Sequence, residues 1–170
     1  MESHFVQTVR CCPPGRRCGK MIRRATVDDA SRIAEILVFT KRMNYRRIFQ
    51  NDKVSFGEIQ VYPIARGYMD DPKKLEGVWV YDDEFVKGVL HIAGDRIEEL
   101  YVDHFFENRG IGGKMLAFAL EKNCRYLWVL EKNEDARRFY ERYGFAPTGE
   151  KRLQEGTSEY IMEMKWQGKT

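Results

Sequence analysis

The feature that most limits how this chain can fold is the stretch Glu98 to Leu116, reading EELYVDHFFENRGIGGKML. It runs from β-branched and aromatic residues through a polar bend into Arg109-Gly110-Ile111-Gly112-Gly113, then into good helix formers, which spells strand, glycine turn and helix. Three glycines within four residues remove the side chains that would hold a ligand off the backbone. The first turn of the helix adds N–H groups without intrahelical acceptors, and such a turn suits an anion. Taken alone, the pattern also fits a plain glycine-rich connection.

Two phosphate signatures can be excluded. A P-loop needs glycine six residues before its lysine and Ser or Thr after it, whereas Asn108 and Met115 flank Lys114 in those places. The dinucleotide fingerprint needs a third glycine where Met115 stands. What remains resembles the acyl-CoA loop of the GNAT superfamily of N-acetyltransferases: Gln or Arg, two residues, Gly, one residue, Gly or Ala, after a strand ending Val-Asp-Pro. Glu107-Asn108-Arg109-Gly110-Ile111-Gly112 fits in all but its first position and follows Val102-Asp103, with His104 in place of the proline. A second stretch, Asn133 to Phe145, resembles the same family's C-terminal signature NxxAxxFYxxxGF at every specified position.

Around these motifs the chain reads as one unit. At 170 residues with 43% hydrophobic and 32% charged, it is long enough for one well-buried core and short for two domains. The formal charge of +3 comes entirely from residues 1–20, where Arg10, Arg16, Arg17 and Lys20 face only Glu2, so no global field argues for nucleic acid or an anionic membrane. The same residues hold Cys11, Cys12 and Cys18, with two prolines and no apolar period. They read as a solvated extension rather than a metal site or a secretory signal, with Met21 a candidate start and residues 21–167 a single domain. Their exclusion leaves Cys124 as a core thiol, and the low cysteine content of the domain points to the cytoplasm.

In order, the pattern predicts a strand over Met21–Val27, then an Asp28-Asp29 cap and a helix over Ala30–Met43. A weaker region from Asn44 to Pro72 hides a second helix between Gly57 and Met69. Strands follow over Gly77–Tyr81, Phe85–Ala93 and Arg96–Val102, then a helix over Gly110–Asn123, a strand over Tyr126–Leu130 and a helix over Asn133–Tyr143. Phe145–Gly149 and Tyr160–Trp166 close the chain. That order matches the resemblance, which implies an α+β fold with a mixed, mostly antiparallel central sheet of about seven strands and helices on both faces.

The resemblance also implies a chemistry: an acetyl-CoA-dependent N-acetyltransferase moving acetyl directly to a primary amine of a small molecule, without a metal, a nucleic acid or a membrane as partner. Homodimerisation is left open. A protein or peptide acetyltransferase and a non-catalytic acyl-CoA sensor are the alternatives. Main-chain groups of Asn108, Gly110, Ile111, Gly112 and Gly113, with Arg109, would hold the phosphates; Val102 and Asn133 would hold the pantetheine arm. The N–H of Leu100 would receive the oxyanion, and Tyr140 would protonate the leaving thiolate. Lys114, Arg138 and Arg142 are further cations within reach of phosphates. No cysteine lies in either motif, which favours direct transfer over a covalent enzyme intermediate.

For the base, Glu98 and Glu99 are adjacent, and strict strand alternation would put them on opposite faces, Glu98 with Leu100 and Val102. His91 is a third candidate. A solvated edge, or a salt bridge to Arg96, is the plain reading of either carboxylate.

Overall fold

In a computed structural model, which describes residues 21–49, 60–155 and 157–168, seven strands and four α-helices follow in the order strand, two helices, three strands, helix, strand, helix and two strands. The strands are β1 (Met21–Arg24), β2 (Val78–Asp83), β3 (Phe85–Ala93), β4 (Arg96–Val102), β5 (Tyr126–Leu130), β6 (Phe145–Leu153) and β7 (Tyr160–Trp166). The helices are α1 (Ala30–Phe49), α2 (Val61–Asp70), α3 (Ile111–Glu121) and α4 (Glu134–Arg142). They form one sheet in the order β1-β2-β3-β4-β5-β7-β6, in which every neighbouring pair is antiparallel except β4 with β5. This is the expected mixed, mostly antiparallel sheet.

Period-two alternation splits the sheet's side chains between two cores. Val78, Val80, Val86 and Val89 join Ile33, Ile36 and Leu37 of α1 beneath one face. Leu90, Ile97, Leu127 and Met164 join Met115, Leu116 and Ala119 of α3, and Tyr140 of α4, on the other. The helices therefore lie on both faces, as expected. Cys124 is a fully buried free thiol, pushed up from its ordinary pKa mainly by burial.

Several boundaries differ from the sequence reading for local reasons. β1 stops at Arg24, and Val27–Asp29 forms a 3-10 turn because the Thr26 N–H and hydroxyl both donate to Asp29 Oδ2, at 2.8 and 3.0 Å. Arg23 clamps the same carboxylate through two bonds of 2.7 and 2.8 Å and also reaches Asp82 on β2. Burial alone would raise the Asp29 carboxyl, but Arg23 and Thr26 outweigh it and hold it below its usual range. α1 runs on past Met43 to Phe49, a segment without Gly or Pro to stop it. The helix expected between Gly57 and Met69 is α2; it carries Pro63 in its first turn, where a missing N–H removes no intrahelical bond. β6 continues past Gly149 to Leu153 as an exposed edge whose pairing with β7 is interrupted by a bulge. Residues 1–20, with their cysteines, lie outside the described residues.

Candidate active site

One irregularity of the sheet makes the site. β4 and β5 pair only at Arg96 with Tyr126 and Ile97 with Leu127. Beyond Ile97 the β5 side of β4 has no strand partner. Asp103 donates its N–H to Lys87 O on the β3 side at 2.9 Å, and N–H direction alternates along a strand, so the N–H groups of Leu100 and Val102 point the other way, into the gap.

At the end of β4, Asp103 is buried and held by Arg32 from α1, while its Oδ1 accepts the N–H of Phe105 at 2.9 Å. This pins the 3-10 turn His104–Phe106. The chain then reverses through two left-handed residues, Asn108 at φ 59° and Gly110 at φ 78°. Asparagine tolerates that conformation and glycine adopts it freely, which is why a helix can begin so abruptly at Ile111. The first intrahelical bond runs from Lys114 N to Gly110 O, at 3.1 Å, and no side chain caps the helix. The N–H groups of Ile111, Gly112 and Gly113 are thus left without intrahelical acceptors.

α4 lies across this turn. Asn133 caps it, its Oδ1 accepting from Ala136 N at 3.2 Å. The aromatic residues of α4 then divide. Phe139 and Tyr143, one turn apart with ring centroids 5.0 Å apart, face the glycine turn. Tyr140 turns inward, 8% exposed, against Phe139 and Phe145. Burial pushes its phenol up to about 12, and its hydroxyl makes no hydrogen bond among the described residues.

Together these elements wall a groove of about 1350 Å³. Seven of the residues expected from sequence lie along it: Leu100 and Val102 from β4, Asn108, Gly110, Gly112 and Gly113 from the turn, and Asn133 from α4. Four do not line it. Ile111 is buried, 6% exposed, and anchors α3 in the core. Arg109 lies with its guanidinium 5.2 Å from the ring centroid of Phe106, itself a groove residue. Tyr140 sits behind Phe139 and Tyr143. Glu98 is exposed at a β-bulge.

That bulge corrects the reasoning about the carboxylates. His91 pairs with Glu99 and Ile92 with Ile97, so Glu98 is an extra residue in β4. Ile97 and Leu100, an odd number of residues apart, consequently pack in the same cluster, and strict alternation cannot assign a face to Glu98. Neither carboxylate meets Arg96, which bonds Glu163 at 3.0 Å. Glu99 is held by Lys41 of α1 at 2.8 Å, and Tyr68 nearby is pushed up to about 12 by burial and by the charge of Glu99. His91 stands opposite Glu99 on the ladder.

Other groove residues gave no sequence signal of their own. Phe39, Thr40 and Met43 come from α1, where helical spacing marked only the core face. Among the motif cations, Lys114 leans over Tyr81 and Arg138 is occupied by Glu134 and Asp135, whereas Arg142 lines the groove with no ion-pair partner among the described residues. The two departures from the loop pattern are neighbours: His104 Nδ1 lies 3.5 Å from Glu107 Oε2.

A sheet parted beside a glycine turn, with an aromatic helix laid across it, is the arrangement that the resemblance to acyl-CoA-dependent transferases implies, and comparison with known proteins agrees. Residues 74–147, which contain both motifs, match the model of an acetyltransferase (GNAT) domain. Acetyltransferase Atu2258 of Agrobacterium fabrum is 34% identical over 96 residues, spanning 52% of this chain and 70% of that protein. Apo-form YjaB from Escherichia coli has the same fold at a TM-score of 0.67 and 18% identity, covering 89% of this chain and 99% of that one. The PaiA N-acetyltransferase of Thermoplasma acidophilum, solved with coenzyme A, gives 0.58 at 19% identity over 87% and 99%. YncA of Salmonella typhimurium, solved with acetyl-CoA, gives 0.59 at 20% over 86% and 92%.

The chain belongs to the GNAT superfamily of N-acetyltransferases. Among the described residues, no helix is long and apolar enough to cross a membrane.

Proposed function

We propose that this protein takes acetyl from acetyl-CoA and transfers it directly to the primary amine of a small molecule. The observation that carries the reading is the continuity of one groove from the free N–H groups of Gly112 and Gly113 to the unpaired edge of β4. A ligand with phosphates at one end and an amide-bearing arm at the other matches that sequence of partners. Two relatives by fold were solved with coenzyme A or acetyl-CoA, which supports the same donor here.

The donor supplies a thioester, an acyl group already activated toward amines. The protein's residues do the rest. The turn from Asn108 to Gly113 holds the phosphates through its backbone, with Arg109 and Arg142 adding charge from either side. Val102 offers its outward N–H and C=O to the amides of the arm as a strand would, and Asn133 reaches the same arm from the cap of α4. Leu100 N–H, aimed into the gap, holds negative charge on the carbonyl oxygen. Tyr140, behind Phe139 and Tyr143 rather than on the groove wall, has a phenol that burial keeps protonated, and it is the group we assign to protonate the departing sulfur. Of the two β4 carboxylates Glu98 is the base: it has no ion pair among the described residues, whereas Glu99 is committed to Lys41, and from outside the groove it takes the amine's proton through water.

The test is release of free thiol from acetyl-CoA with a panel of polyamines, aminoglycosides, amino acids and short peptides. Turnover that requires a small amine supports the proposal. Turnover with peptides alone would move the acceptor to the protein class, and tight acetyl-CoA binding without turnover on any amine would favour a sensor.

A further inference from the structure

The fit between Gly113 and Tyr143 is closer than packing requires. A Cβ built on Gly113 would fall 2.0 Å from the Tyr143 hydroxyl oxygen and 2.9 Å from Cζ, so the phenol occupies the place of the missing side chain. Gly112 is different: a Cβ there would meet the edge of Phe139 at 3.4 Å and Val102 Cγ2 at 3.7 Å, ordinary contacts. Every Cα–Cβ bond of a helix leans toward its N-terminus. The position a residue-113 side chain would fill is therefore beside the first turn of α3, on the side where its free N–H groups emerge. Tyr143 is half-buried, lines the groove, and its hydroxyl makes no hydrogen bond among the described residues. An unpaired donor has been laid from one motif onto the anion cradle of the other.

We propose that the Tyr143 hydroxyl is a phosphate-oxygen donor that completes the cradle of the glycine turn, making this residue a determinant of preference for phosphate-bearing acyl donors over the bare acyl-pantetheine arm. The proposal rests on the acyl-CoA reading of the groove. Its neighbour Arg142 lines the same wall, so the last turn of α4 presents a charge and a hydroxyl together. Neither Phe139 nor Tyr140 can substitute for Tyr143, the first carrying no hydroxyl and the second turning its ring into the core.

Tyr143→Phe deletes the oxygen and keeps the ring, so its packing on Phe139 persists. Binding of acetyl-CoA and of S-acetylpantetheine, which has the same arm without phosphates, is measured by calorimetry, alongside KM for each with the best amine of the panel. A hydrogen bond to a charged oxygen predicts weakening of acetyl-CoA by about ten- to a hundredfold with S-acetylpantetheine unaffected. Gly113→Ala, which drives the phenol away, is expected to show the same donor-selective loss with an unchanged circular dichroism spectrum. If Tyr143→Phe weakens both donors alike, or neither, the hydroxyl serves packing only and the inference is overturned. A wild-type protein that binds both donors equally would instead refute the phosphate reading of the glycine turn itself.

Discussion

Replacing Tyr140 by Phe separates two roles that its position allows. The ring is buried, 8% exposed, and packs against Phe139 and Phe145 with centroids 5.2 and 5.8 Å away. Truncation to Ala would open a cavity in the α3–α4 core and lower stability by about 3–5 kcal/mol, confounding any loss of activity. Phe keeps the ring. Since the hydroxyl has no hydrogen-bond partner among the described residues, removing it breaks no bond and strands no buried group, so stability should change by less than about 1 kcal/mol. If the phenol protonates the leaving thiolate, kcat falls by about 10²–10⁴-fold, the usual contribution of a positioned acid. Urea unfolding and thiol release on the same preparation read the two quantities. A Tyr140→Phe protein with unchanged stability and near wild-type kcat would show that Tyr140 is only a core aromatic and that the thiolate finds its proton elsewhere.

Three further outcomes follow from the geometry. Gly110→Ala meets no atom within 4 Å but forces a Cβ onto φ 78°, so urea unfolding should show a loss of about 1–2 kcal/mol from backbone strain alone. Asp29→Asn leaves Arg23 paired with Asp82 but removes one of its two carboxylates and should cost about 1–3 kcal/mol; because the Asp29 carboxyl is held below its unfolded value, wild-type stability from this group is full above the ordinary carboxylate range and is lost as pH falls through the lower folded value, a decline that thermal melts across acid pH should show blunted in the mutant. Glu98→Gln should lower kcat/KM without altering acetyl-CoA affinity, whereas Glu99→Gln should chiefly loosen Lys41; a pH–rate profile in which only Glu99→Gln removes the acid limb would transfer the base role to Glu99.

What the sequence made legible was what local chemistry specifies. Phe85–Ala93, Arg96–Val102, Tyr126–Leu130 and Tyr160–Trp166 are strands with the expected bounds because apolar alternation or an apolar run meets a turn residue at each end. Gly110 and Asn133 stand as helix caps, positions whose dihedral or side-chain demands are written in single residues. The bulge at Glu98 was not legible, since an extra residue in a ladder depends on the partner strand as much as on its own. Nor was the α1 wall of Phe39, Thr40 and Met43: the helix period marks which side chains face its own core, and a groove formed with a distant loop leaves no such period. β6 beyond Gly149 is polar and exposed apart from Leu153 and is held by backbone pairing to β7, so no apolar alternation announced it.

The three aromatics of α4 tie the chemistry to the core. Helical spacing sends Phe139 toward Gly112, Tyr143 onto Gly113 and Tyr140 between them into the cluster that also holds Phe145 and Met115. The depth at which Tyr140 seats therefore fixes how closely the other two cover the glycine turn. A substitution that touches neither motif's polar groups, such as Phe145→Ala against the buried ring of Tyr140, should let α4 sink or tilt and weaken donor binding as well as stability. The tyrosine invoked for proton transfer and the one that covers the anion cradle would then move together, because one rigid helix carries both.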